Sequence, residues 1–328
     1  MLREKQNTNI NEKNLVIEIP DNLCEIGIYM EPKFYILTCA YNCEAFVREA
    51  IESVKDFAEH LVIVEGSWSK ELPNRSIDNT YEICKNLVKN NTNISLIEFN
   101  KYNEPLNYEN FTCERHKEWI KSALTHKYYN GYSLQNQLLA RDTGIKELER
   151  KAIKNNHLFN GYLIMVDADE VYNQESLENL RDIVRIFGTD YDMFRIEGKV
   201  FYFDFNHYAK ELFPRVFKIK QNMFSADDCA IETPEGEYGE RMNIEPELVS
   251  FYHYSYSPKR DLDSKLKMWR QDSVEKWKKK HKPLLTNSKT YSSETVHLFE
   301  DINEVYSDYR LYDFKDNHPK SIAEKFHL

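Results

Sequence analysis

The run Leu163-Ile164-Met165-Val166-Asp167-Ala168-Asp169-Glu170 carries four apolar residues straight into three carboxylates. Four consecutive apolar positions read as a strand buried on both faces, the habit of a parallel sheet. The same texture recurs upstream. Phe34-Tyr35-Ile36-Leu37-Thr38 runs into the loop Ala40-Tyr41-Asn42, and Leu61-Val62-Ile63-Val64 ends on Glu65-Gly66-Ser67, with a third strand expected over Ile94 to Phe99. Between them, Glu44 to Phe57 sets Ala45, Val47, Ile51, Val54 and Phe57 at roughly helical intervals, and Thr80 to Asn90 sets Tyr81, Cys84, Leu87 and Val88 on one side. Leu134 to Ala152 is a further helix. This alternation predicts an α/β fold with a mostly parallel central sheet and crossover helices.

Downstream the character changes. Ser176 to Phe187 is amphipathic, while Met193 to Phe205 and Arg215 to Lys220 alternate as half-buried strands do. Ala226 to Pro246 is acidic and loop-like, and Leu248 to Tyr254 is a last strand. Asp261 to Lys280 reads as a charged helix marked by Leu262, Leu266, Trp269, Val274 and Trp277. Residues 101–130 are irregular and aromatic. The expected boundaries are a polar leader over 1–32 with a short strand near Leu15 to Ile19, a core over 33–255 divided between 33–172 and 173–255, and a basic helical extension over 256–328.

With 13% aromatics, 41% hydrophobics and a formal charge of −10 over 328 residues, the bulk of the chain can offset its ordering entropy by burial. The nine glycines form no G-x-G pair and no G-x-x-x-x-G-K run, so the Rossmann fingerprint and the P-loop are both excluded. Any nucleotide must be held some other way. Cys24, Cys39, Cys43, Cys84, Cys113 and Cys229 make no C-x-x-C pair, which fits reduced thiols and a cytoplasmic protein, at most peripheral at a membrane. No apolar run is long enough to span a bilayer, and the charged, Asn-rich start lacks a signal-peptide core. The acidic total argues against a general nucleic-acid binder. Residues 259–282 run the other way, with Lys and Arg outnumbering acids ten to four. They read either as a solvated helix face or as a patch for a phosphate-bearing partner: donor diphosphate, lipid-linked acceptor or, less favoured, nucleic acid.

Ligands of open α/β sheets bind at the carboxyl ends of the strands. Asp167 and Asp169 leave a strand mouth together and repel each other unless a cation lies between them. A hard divalent ion with oxygen ligands, Mn²⁺ or Mg²⁺, suits that position and would bridge to a diphosphate. The plainer alternative is that both simply stabilise a turn.

The ordered set Thr38-Cys39-Ala40-Tyr41-Asn42, Val64-Glu65-Gly66-Ser67, Ser76-Ile77-Asp78-Asn79-Thr80, Arg141-Asp142-Thr143-Gly144 and Val166-Asp167-Ala168-Asp169-Glu170 resembles family 2 glycosyltransferases with the GT-A fold, over about Lys33 to Tyr172. The resemblance implies that the first loop (Thr38, Ala40, Tyr41, Asn42) cups the base and ribose and that Glu65 contacts them. Asp78 belongs to a structural turn, and Arg141 reaches the donor phosphates. Asp167 and Ala168 face the donor's ribose or sugar, and Asp169 coordinates the metal with Asp167 beside it. One motif departs from the family: Val-Glu-Gly-Ser stands where Asp-Asp-Gly-Ser or Asp-x-Gly-Ser is usual, which leaves the base open. Glu170 matches the D-x-D-E of a subset of N-acetylglucosaminyl- and related transferases.

Phe251-Tyr252-His253-Tyr254-Ser255-Tyr256 resembles the family's His-Tyr-Ser-Tyr run, whose histidine completes the metal shell; a strand histidine also serves as an ordinary structural residue. Phe213-Pro214-Arg215-Val216-Phe217 is similar to a Pro-Arg-x-Phe segment that shapes the active site, so Arg215 joins the catalytic candidates. An acceptor hydroxyl needs a general base. Asp227, Asp228 and Glu232 are the candidates, with Asp228 preferred. The resulting expectation is a metal-dependent, inverting transfer of a sugar from a UDP- or GDP-linked donor to a glycan, lipid-linked or modified-base acceptor. A nucleotidyltransferase on a similar sheet and a non-catalytic glycan or nucleic-acid binder are the alternatives.

Overall fold

A computed structural model describes residues 31–102, 111, 113–125, 131–202, 204–226, 230–261, 264–265 and 312–328. The expected leader strand near Leu15 to Ile19, most of the helix expected over 261–280, and Asp227, Asp228 and Cys229 lie outside the described residues.

Strands β1 (Lys33–Ala40), β2 (His60–Glu65) and β3 (Ile94–Glu98) alternate with helices α1 (Val47–Val54) and α2 (Thr80–Asn90). Helices α3 (Glu114–Leu124) and α4 (Gly131–Lys154) lead to β4 (Gly161–Met165), β5 (Glu170–Tyr172) and α5 (Gln174–Phe187). A hairpin of β6 (Met193–Tyr202) and β7 (His207–Lys218) follows, then four short strands, β8 (Phe224–Ser225), β9 (Ile231–Thr233), β10 (Gly236–Glu237) and β11 (Arg241–Asn243). Strand β12 (Ser250–Tyr256), the short β13 (Tyr312–Asp313) and helix α6 (Lys320–Phe326) complete the described elements. The main sheet runs β3-β2-β1-β4-β7-β6-β12-β5, with β11 on β6 and β13 on β7. Strands β3, β2, β1 and β4 are mutually parallel, as expected, and the antiparallel pairings enter with β7 and β5.

The period of two sorts the parallel strands between two cores. Phe34 and Ile36, Leu61 and Ile63, and Tyr162 and Ile164 pack on the side that holds Val47 and Ile51 of α1, Leu87 of α2 and Leu180 and Ile183 of α5. Tyr35 and Leu37, Val62 and Val64, and Leu163 and Met165 pack on the other, with Ile120 of α3 and Leu138, Ile145 and Leu148 of α4. Residues buried on both faces explain why these strands read as unbroken apolar runs rather than alternating ones.

Helix α3 stands inside the stretch read as irregular. Its buried face is only His116, Ile120 and Ala123, too thin an apolar stripe to register as helical periodicity. The acidic loop over 226–246 likewise contains three short strands, β9 to β11. Among the described residues, Cys39, Cys43, Cys84 and Cys113 are free thiols. No described helix is long and apolar enough to cross a membrane.

The strand order places a switch point between β1 and β4. The chain moves outward from β1 to β2 and β3, then returns to the other side of β1 as β4, opening a crevice at the carboxyl ends of that pair. Helix α4 packs closely on the strands beside this crevice. A Cβ on Gly144 would come 2.2 Å from Leu37 Cδ1 and 3.0 Å from Val64 Cγ2, so glycine is what lets the helix lie against β1 and β2. Gly144→Ala is expected to cost about 1–3 kcal/mol in urea unfolding, as overpacking of a filled core does. The Leu37→Val/Gly144→Ala double variant should cost less than the sum of the two singles; additive costs would contradict this contact as the cause.

Candidate active site

Beyond β4 the chain turns at once. Glu170 N donates to Asp167 O at 2.9 Å, and the strand that follows, β5, pairs antiparallel with β12 so that Glu170 stands opposite His253. Tyr254 N donates to Asp169 O at 2.9 Å, where the register of β12 against β6 shifts between His253 and Tyr256. Asp169 and Glu170 are thereby fixed by backbone pairing, with their carboxylates buried.

Arg215 is brought in by a bulge. In the β6/β7 hairpin Phe194 pairs with Val216 and Arg195 with Pro214, leaving Arg215 as the extra residue of β7. Pro214 lacks the N–H that a regular ladder would use, so a bulge belongs there, and bulges re-aim the side chains they carry. Arg215 is 1% exposed, with its guanidinium 4.6 Å from the centre of the Phe213 ring and 5.5 Å from that of Phe251. Its Nη2 donates to Glu170 Oε1 at 2.5 Å and to Asp167 Oδ2 at 3.2 Å.

Asp169 is held by different cations. Arg260 Nε donates to its Oδ2 at 2.9 Å, Lys265 Nζ lies 3.4 Å from the same oxygen, and His253 Nε2 is 3.2 Å from Oδ1. Burial pushes the Asp169 carboxyl up, but Lys265, His253 and Arg260 outweigh it and hold the group well below the usual carboxylate range. Burial also opposes ionisation of Asp167, and Arg215, His253 and Arg141 bring it below its ordinary value. Glu170 goes the other way: burial, against the pull of Arg215, pushes it up to about 7.

A carboxylate oxygen of Asp167, one of Glu170 and a ring nitrogen of His253 lie within 4.8 Å of one another. Both His253 ring nitrogens are buried without an aligned hydrogen bond, although carboxylates stand beside each. An imidazole with two oxygens around one point is a donor set that suits Mn²⁺. The metal-type constellation thus includes Glu170 beside the expected Asp167 and His253, while Asp169 stands at its edge facing the two side-chain cations.

The residues expected to hold a donor divide. Thr38 is buried with its hydroxyl unpartnered. Ala40 O accepts from Gly66 N at 3.1 Å, and Gly66, at φ 151°, has Phe99 O only 2.6 Å from where a Cβ would stand. Asn42 has φ 44°, and its Oδ1 accepts from Ile77 N at 2.9 Å. Glu65 is buried and accepts from Ser76 N at 2.8 Å, so its carboxylate organises the neighbouring turn. Asp78 caps that turn at Thr80 N, 2.9 Å, in keeping with the structural role implied for it. Tyr41 and Asn42 present backbone carbonyls to Arg260. Ala168 is buried in the turn itself, and Arg141 is buried on α4 near enough to Asp167 to stabilise its charge. Among the base candidates, Glu232 is buried and paired with Arg115 Nε.

No protein-family model matches the sequence, and no curated protein does. Among solved structures, residues 1–349 of TarS from S. aureus align with 68% of this chain and 60% of that one, at 14% identity and a TM-score of 0.37. A longer TarS structure aligns with 79% of this chain and 44% of that one, at 14% identity and a TM-score of 0.38. The chain therefore matches 60% and 44% of those two proteins' lengths.

Arg260 and Lys265 belong to the segment that the sequence leaves between a solvated helix face and a patch for a phosphate-bearing partner, and the structure sets both beside Asp169. The available signal was distance along the chain: Arg260 follows His253 by only seven residues, so a histidine at the crevice keeps it close. Arg215→Ala is expected to destabilise the fold by about 3–5 kcal/mol in urea unfolding, because it leaves the buried Glu170 carboxylate without its partner. Arg215→Lys should recover only part of that loss, since one ammonium lacks the planar fork that serves two carboxylates. Wild-type stability in Arg215→Ala would show the cluster to be balanced without it.

Proposed function

We propose that this chain is a metal-dependent, inverting glycosyltransferase of the GT-A type that takes a UDP- or GDP-linked sugar and transfers it to an acceptor hydroxyl. The observation that carries the reading is the convergence of Asp167, Asp169 and Glu170 with His253 and Arg215 at the switch point between β1 and β4. It is supported by the motif order that resembles family 2 glycosyltransferases.

In this reading Asp167, Glu170 and His253 would hold the divalent cation, with Asp169 alongside. When bound, that cation offsets the negative charge that gathers on the diphosphate leaving group. Arg215 fixes Asp167 and Glu170 relative to each other, so the donor set is organised before any ligand arrives. Arg141 adds positive potential at Asp167, and in this reading it serves the donor phosphates. The acceptor hydroxyl would lose its proton to Asp228, which we keep as the general base; Glu232, already paired with Arg115, is the poorer choice. Fold and site chemistry leave the acceptor as a glycan, a lipid-linked sugar or a modified base.

Thermal-shift measurements with UDP-, GDP-, CMP- and dTDP-sugars, with and without Mn²⁺, test the reading. A ligand at 100 times its Kd adds about 2.7 kcal/mol to the folded state, which gives a rise of several degrees. The expected result is a rise with a UDP- or GDP-sugar that needs Mn²⁺ and is lost in His253→Ala. No response to any of the donors, in a wild-type protein that melts cooperatively, would overturn the reading.

A further inference from the structure

The segment after β12 returns to the mouth of the crevice. It is stitched there by Asn42 Nδ2, which donates to Ser264 Oγ at 3.0 Å and to Asp261 Oδ2 at 3.4 Å, and by Ser264 N, which donates to Asp261 Oδ1 at 3.1 Å. Arg260 N donates to Ser257 O and Lys265 N to Asp261 O, both at 3.1 Å, so the backbone carrying the two cations is itself folded. Their side chains are 7% and 12% exposed, which separates them from ordinary surface lysines and arginines.

Arg141, Arg215, Arg260 and Lys265 stand against Asp167, Asp169, Glu170 and Asp261, so four cations match four carboxylates before His253 is counted. A pocket built for a divalent cation alone would carry surplus negative charge. A pocket already balanced by its own cations suits an anion entering together with the cation. Arg260 is also placed against the loop that leads out of β1: its Nε is on Asp169, while Nη1 donates to Asn42 O and Nη2 to Tyr41 O at 3.4 Å. Lys265 completes the pair, contacting Asp169 and donating to Ser255 Oγ. A planar fork beside a compact ammonium is a combination that recognises phosphate oxygens.

We propose that Arg260 and Lys265 are the diphosphate-binding pair of this site, positioned by Asp169 and the Asn42–Ser264 stitch so that a nucleoside diphosphate between β1 and β4 meets two side-chain cations. The proposal rests on the nucleotide-sugar reading and adds to it a specific anchor outside the motifs that suggested that reading. No bond is made or broken in this step. The phosphate oxygens replace the Asp169 carboxylate and the loop carbonyls as acceptors for the two cations.

The test is calorimetric titration of UDP and of GDP, at saturating Mn²⁺, into the full chain and into Arg260→Gln, Lys265→Gln and the double variant. With the nucleotide that binds the wild type, each single change should weaken binding several-fold and the double at least tenfold. The dependence of affinity on salt should become shallower in the double variant. Arg260→Lys, which keeps the charge and loses the fork, should fall between wild type and Arg260→Gln. Tighter binding in the double variant would show the pair to be a plug over the site, and unchanged binding would show it to be structural; either result overturns the proposal. Failure of the wild type to bind either nucleotide would instead count against the nucleotide-sugar reading itself. The melting temperature of each variant, measured alongside, separates lost binding from lost folding.

Discussion

Three carboxylates within four residues, Asp167, Asp169 and Glu170, are the constraint around which the rest of this molecule is arranged. Acids this close repel each other, the buried Asp169 and Glu170 lose hydration as well, and the group would be neutralised or pushed apart without counter-charge. The fold supplies that charge from three separate places in the chain. A bulged strand delivers Arg215, a strand facing β5 delivers His253, and the segment after that strand delivers Arg260 and Lys265. The antiparallel half of the sheet therefore serves the site as much as the core. Without β7 and β12, the mouth of β4 would be an unbalanced acidic turn.

This division also separates the roles of the carboxylates. Asp167 and Glu170 share Arg215, which holds them at the spacing where His253 can join them around one point. Asp169, itself buried, engages the cations that flank the β1 loop. Removing the guanidinium would strain the first pair, whereas removing the outer cations would mainly alter what the opening attracts.

Much of this was legible in the sequence, for physical reasons that also mark where the legibility stopped. The strands β1, β2 and β4 are buried on both faces, so their apolar runs are uninterrupted, and the acids at their ends stand out against that background. Asp167 and Asp169 were visible as carboxylates at a strand mouth, whereas His253 and Arg215 stood out through the resemblance of their segments to family 2 glycosyltransferase runs. Helix α3 was hidden because its buried stripe contains a histidine and only two apolar residues. Glu65 and Asn42 look like ligand-binding groups in sequence, yet in the structure their side chains bond to the 76–77 turn. Arg260 and Lys265 were hidden by company: they open a run of basic residues, and charge runs usually lie in solvent. Only the return of the chain to Asn42, a contact across more than two hundred residues, turns them inward.

We propose that the gathered carboxylates and His253 serve sugar transfer from a nucleotide donor. The most direct test is the release of free nucleoside diphosphate from UDP- and GDP-sugars, followed with Mn²⁺ for the wild type and for Asp167→Asn. Measurable release by the wild type from one donor class is expected, abolished by chelation and reduced at least a hundredfold in Asp167→Asn, the scale of losing a positioned electrostatic group. Release that persists at the wild-type rate in Asp167→Asn and in the presence of chelator would contradict the proposal.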